Sequence, residues 1–168
     1  MDEIFLALLQ KIADEVQELR EVDMDWGQLE TQEETYPIDF PCCLIDISNV
    51  AWEQTGVPFQ TGLATVKLKI AVNMLDDTHF SGGKFQNAVN RLAVVKSVHN
   101  TVNLFRDEGF SKLVRSNTRR YNMPGGIKVT ELEYETAISE ISNSGVVGSG
   151  VWNDQSKWDD KSSWKDSA

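Results

Sequence analysis

The side chains of this sequence that could do chemistry are few and scattered. Asp76, Asp77 and His79 sit in the Gly-bearing run LDDTHFSGGKF and could offer a cation two ligands. Adjacent carboxylates in such a run bond their own backbone readily, so they are read as turn formers. His99 falls at the edge of a helix's apolar side with no Cys or carboxylate spaced to partner it, and it is read as a packing residue. Cys42 and Cys43 are adjacent, and neighbours on a strand point to opposite faces, so they do not bond to each other. There is no CxxC spacing for zinc, and the pair is read as small apolar strand residues in a reducing compartment. The chain has no GxGxxG or GxxxxGK[ST] phosphate loop, no GxSxG elbow and no HExxH helix. The expectation is a protein that is not an enzyme and needs no cofactor or metal.

Two charged groups and one aromatic pattern remain. Arg115, Arg119 and Arg120 fall on one strand, where the shared parity of Arg115 and Arg119 predicts a common face. They either pair across a hairpin with Glu131, Glu133 and Glu135 or form a contact surface for a neighbouring subunit. The Glu131/Glu133/Glu135 row is either the wet face of a half-buried strand or, in a ring, part of a channel lining. The aromatic pattern is terminal. Cut in sixes, the last residues read VWNDQS, KWDDKS, SWKDSA, with Trp152, Trp158 and Trp164 each second in its unit.

The elements that must carry these groups follow from periodicity. Ile4, Phe5, Leu8, Leu9, Ile12, Val16 and Leu19 recur at three- and four-residue steps and predict a first helix that ends near residues 20–23. An acidic loop leads to a short apolar strand, CCLIDIS (42–48), and then to a breaker-rich run with Gly56, Pro58 and Gly62. From Ala64 to Met74 every even position is apolar, a long strand with one buried face. A second helix is expected from about Gln86 to Phe105, with Ala88, Leu92, Val95, Val98, Val102 and Phe105 facing inward. Strands at 111–122 and 126–139 flank the hairpin turn MPGG. The predicted fold class is α+β, a mainly antiparallel sheet of about four strands with two helices packed on one face. It spans residues 1–141, and 142–168 form a Gly/Ser linker and the Trp-bearing tail.

Composition bounds the partners. The chain has 168 residues, 40% of them apolar, and a formal net charge of -10, which argues against wrapping DNA or docking on an anionic membrane. No run approaches the ~20 apolar residues of a membrane span, and the acidic start MDEIFLALLQKIADEV is unlike a signal peptide. A cytoplasmic site of synthesis is expected.

The order of elements carries a resemblance. The amphipathic first helix, PCCLIDI, the long strand TGLATVKLKIAVNML, a helix ending NLF and the hairpin TRRYNMPGGIKVTELEYETAI together resemble the tail-terminator (tail-completion) proteins of long-tailed bacteriophages and the related minor tail and neck proteins. The resemblance covers residues 1–140. It implies a virion protein, assembled in the bacterial host cytoplasm, whose copies form a homo-oligomeric, hexameric ring at the head-proximal end of the tail tube. Its partners would be the tail tube protein and a neck or connector protein, with genomic DNA only passing through an acidic lumen and no membrane contact. Residues 28–39, 52–61 and the C-terminal tail would be segments that order on assembly. A head–tail connector, stopper or baseplate component, or a cytoplasmic adaptor that uses the Trp tail, are the alternatives.

The Trp hexads are not part of that resemblance. A six-residue step turns 240° around a helix but is even in an extended chain, so all three indoles project to one side. Asp154, Asp160 and Asp166 share that side. Trp is the residue most enriched in binding hot spots, and the tail is read as a segment that docks on a partner.

Overall fold

A computed structural model of the chain describes residues 2–30, 38–55, 59–73 and 84–141. In chain order these form helix α1 (Asp2–Glu15), strand β1 (Glu21–Met24), a 3-10 turn at Gln28–Glu30, strand β2 (Cys42–Gln54) and strand β3 (Phe59–Asn73). Helix α2 (Phe85–Val102), strand β4 (Val114–Met123) and strand β5 (Ile127–Ile141) complete the set. The strands make one sheet in the order β1-β2-β3-β5-β4. The class is α+β with two helices on one face, as expected, but the sheet is mixed and has five strands rather than about four. The additional strand is β1, paired in parallel with β2.

β1 escapes sequence reading because only Val22 and Met24 alternate with acidic residues over four positions. Its strand conformation comes from the partner, since β2 offers an unpaired edge and the chain is led along it. Bonds from Arg20 N–H to the Pro41 carbonyl and from Asp25 N–H to the Ile45 carbonyl extend the pairing at both ends. α1 accordingly stops at Glu15, short of the expected 20–23, and a turn closed by Leu19 N–H on the Val16 carbonyl redirects the chain.

The period-two pattern of β3 decides where the core lies. Ala64, Val66, Leu68 and Ile70 point to the helices and pack with Cys43 and Ile45 of β2, Leu132 and Tyr134 of β5, and the α1 stripe Ile4, Leu8, Ile12 and Val16. Each large side chain taken out of water there contributes about 1.5–3 kcal/mol. A smaller core sits on the opposite face at one end of the sheet, where Leu29 and Ile38 cover Cys42, Leu44, Ala71, Ile127 and Val129. Cys42 and Cys43 therefore belong to different cores, and both thiols are free and buried. Burial pushes the Cys42 thiol up to about 12, a neutral and unreactive group.

Two further expectations are corrected. The breaker-rich run after residue 48 is largely strand, with Ala51–Gln54 paired to Gln60–Leu63 across a bulge at Ser48/Ala51. Gly62 permits this, because a side chain there would meet the Ala51 carbonyl, Trp52 and Val50, all at 3.1 Å. Within 52–61, then, both flanks are built sheet and only 56–58 lie outside the described residues. In α2 the buried residues are Val94, Val98 and Val102. Val95 and Phe105 are only half-buried, Ala88 lies at an intermediate position, and Leu92 is 58% exposed. Burial begins at Val94 because a groove separates the first half of the helix, at Ala88 and Leu92, from Val72 and the β4–β5 hairpin.

Candidate functional site

The described residues are richest in unpartnered surface at β4, the edge strand next to β5. Strand β1, the other edge, is short and backed by α1 and the Gln28–Glu30 turn. β4 runs for ten residues with its first seven positions exposed. The hairpin to β5 turns through Pro124–Gly126, where Gly125 and Gly126 take φ of 74° and 78°, angles that strongly favour glycine.

The three arginines of β4 do not share one face. A bulge at Ser116 places Arg115 opposite Tyr134 but Asn117 opposite Glu133. Parity therefore inverts along the strand. Arg115 and Arg120, opposite Tyr134 and Thr130, lie on the helix side, whereas Arg119, opposite Glu131, lies on the open face. The expectation that Arg115 and Arg119 point the same way is overturned by that one inserted residue. Arg119 also stacks its guanidinium over the Tyr121 ring at 5.3 Å.

On the open face the glutamate row is interleaved with cations. β5 lies between β4 and β3, so Glu131 faces Lys69 and Arg119, and Glu133 faces Lys67 and Asn117. Asn117 Nδ2 donates to Glu133 at 3.0 Å, and Lys67 Nζ stands 3.9 Å from the same carboxylate. Glu135 faces Thr65 and Val114 and has no cation across either neighbouring strand. Lys69 is committed elsewhere as well, holding Asp25 and Glu30 at 2.7 Å each. Burial alone would lower its pKa, but the two carboxylates outweigh burial and hold the ammonium above its ordinary value.

On the helix side His99 Nδ1 and the Tyr134 hydroxyl share a 2.8 Å hydrogen bond with Arg115 nearby. Desolvation first, and then the Arg115 charge, lower the His99 pKa below 6.5. Tyr134 is raised by burial, against the opposing pull of Arg115. His99 is thus a packing residue with a satisfied polar partner, as the helix pattern predicts.

Two apolar surfaces accompany the edge. The far end of the β2–β3–β5 ribbon exposes Trp52, Phe59 and Leu63. Between the first half of α2 and the β4–β5 hairpin runs a groove of about 370 Å³, floored by Val72, Leu92 and Val95 and flanked by Arg120 and Lys128. Sequence reading missed both. The signal available was the doubled Val94–Val95, which lets α2 pack in either of two phases. Asp76, Asp77, His79, Trp152, Trp158 and Trp164 lie outside the described residues. Among the described residues no three His, Cys, Asp or Glu side chains gather as a metal site, and no helix is long and apolar enough to cross a membrane.

No family model and no curated protein matches this sequence. A solved structure with a related course is a chain described as "Virion of native gene transfer agent (GTA) particle". It has a TM-score of 0.43 and 8% identity, and the match covers 79% of this chain and 84% of that one. A likeness of that size assigns no role.

Proposed function

We propose that this protein is a non-enzymatic structural subunit of a long-tailed phage or phage-like particle, forming a tail-terminator ring that ends tube growth and joins tail to neck. The observation that carries this reading is the open β4 edge, a ten-residue strand exposed over its first seven positions beside an apolar groove. A ring is built from a heterologous contact, in which one surface of each copy meets a different surface of the next. The β4 edge and the apolar end bearing Trp52, Phe59 and Leu63 are two such surfaces on one subunit. Arg115, Arg119 and Arg120 would then meet the neighbouring copy from both faces of the strand. A channel lining would draw mainly on Glu135, because Glu131 and Glu133 already face cations. The net charge of -10 keeps DNA sliding rather than sticking.

Light scattering and electron microscopy of the purified chain, alone and with tail tubes, test the reading. Six-membered rings, or rings that form on tube ends, are expected. A chain that stays monomeric in both conditions and leaves the tubes bare overturns it.

A further inference from the structure

We propose that the groove between α2 and the β4–β5 hairpin is the receptor for this chain's own Trp–Asp tail, a pairing independent of whether rings form. The groove joins two properties that occur together nowhere else among the described pockets. Its floor is apolar, with Val72, Leu92 and Val95, and the charged side chains lining it are all cations, Arg91, Arg120 and Lys128. No described acidic residue lines it, in a chain with ten more negative than positive charges. The matching ligand is therefore a large apolar group with a carboxylate a short step away.

The tail carries that ligand three times. Trp152, Trp158 and Trp164 are each followed two positions later by Asp154, Asp160 or Asp166. In an extended segment residues two apart share a face and stand about 6.6 Å from each other. The indole can then lie on Leu92 and Val95 while the carboxylate reaches Arg120 or Lys128. Arg120 and Lys128 are diagonal neighbours across the hairpin, since Arg120 is opposite Thr130 and Lys128 opposite Asn122. Either can take the charge as the segment shifts.

Reach permits the contact. The groove lies at the Lys128–Thr130 end of β5, eleven residues (141 minus 130) or roughly 36 Å of strand from Ile141. Trp152 is also eleven residues beyond Ile141 (152 minus 141), so it spans that distance only when fully stretched. Trp158 and Trp164 arrive with slack, and a neighbouring copy's groove is open to the same segment. Tethering supplies an effective concentration on the order of millimolar, so a modest intrinsic affinity fills the site.

The full chain labelled with 5-fluorotryptophan tests the pairing by fluorine NMR, with resonances assigned by single Trp→Phe changes. At least one tail resonance is expected away from its position in the isolated 151–168 peptide. That resonance should return to the peptide position in Arg120→Glu/Lys128→Glu and at ~1 M salt, where the screening length falls to about 3 Å. Leu92→Glu, at an exposed position, should do the same through the apolar half of the site. Tail resonances at peptide positions in the unmodified chain overturn the proposal, as do displaced resonances that ignore all three groove changes. Particle size measured on the same samples separates this outcome from ring formation, because a monomer with a displaced resonance supports the pairing.

Discussion

The two edges of the sheet are finished in opposite ways. At β1 the chain spends four residues, a parallel pairing, a 3-10 turn and a doubly bonded lysine to close the edge. At β4 it leaves a ten-residue strand with no further strand beside it among the described residues. An unpaired strand invites pairing with other chains, and natural sheets blunt that hazard with charge and bulges. β4 has both, three arginines and the Ser116 bulge, yet its length and its grooved flank keep it usable. The contrast teaches that the open edge is maintained rather than neglected, because this same fold shows how an edge is shut.

Breaking the closed edge should have the largest effect. Leu29 is fully buried in the turn that covers the second core. Leu29→Ala should lower stability by about 3 kcal/mol, or roughly 6–12 °C in Tm, read by thermal denaturation. Lys69→Met comes next. It strands Asp25, whose side chain is only 8% exposed, beside Glu30 with no shared cation, and about 2 kcal/mol should be lost.

The open edge should answer differently. Thr118 N–H is taken by the Asn117 side chain at 2.8 Å, so Thr118→Pro removes a local bond and not a ladder bond to β5. Stability should fall by no more than about 1 kcal/mol, while ring assembly, read by light scattering, is abolished. If assembly survives that change, neighbours do not pair along β4.

The smallest effect is on pH. The lowered His99 pKa means that the unfolded chain binds the proton more readily below pH 6.5. The stabilisation from neutral His99 is whole above that value and is lost as pH falls from it through the folded pKa. His99→Gln should flatten this part of the stability–pH curve, read by denaturation at a series of pH values. An unchanged curve would show that burial and the Arg115 charge do not hold the imidazole neutral.

Much of the fold was legible in the residues. The alternation through Ala64–Val72, the α1 stripe and the glycine pair at the hairpin each carry a local signal strong enough to survive tertiary packing. What was not legible depended on partners distant in sequence. β1 is a strand only because β2 lies beside it, and the gap beneath the first half of α2 is invisible when both Val94 and Val95 can face inward. The site suffered most. Parity assigned Arg115 and Arg119 to one face, and one bulged serine separated them. The Glu131/Glu133/Glu135 row shares one face, but the lysines of β3 that face its first two members come from a strand more than sixty residues earlier, beyond any spacing rule.

That serine has a genetic consequence. Ser116 is the one residue of β4 that no residue of β5 opposes, so an in-frame loss of codon 116 would join Arg115 directly to Asn117 and make the ladder continuous. Arg115 would stay opposite Tyr134 and Val114 opposite Glu135, each on its present face. A single codon thus governs the twist of the open edge while leaving its charges where they are. His99 would report this, since its titration midpoint should hold while Arg115 remains on its side. Related subunits could reshape this edge by that one step with no side chain exchanged between faces.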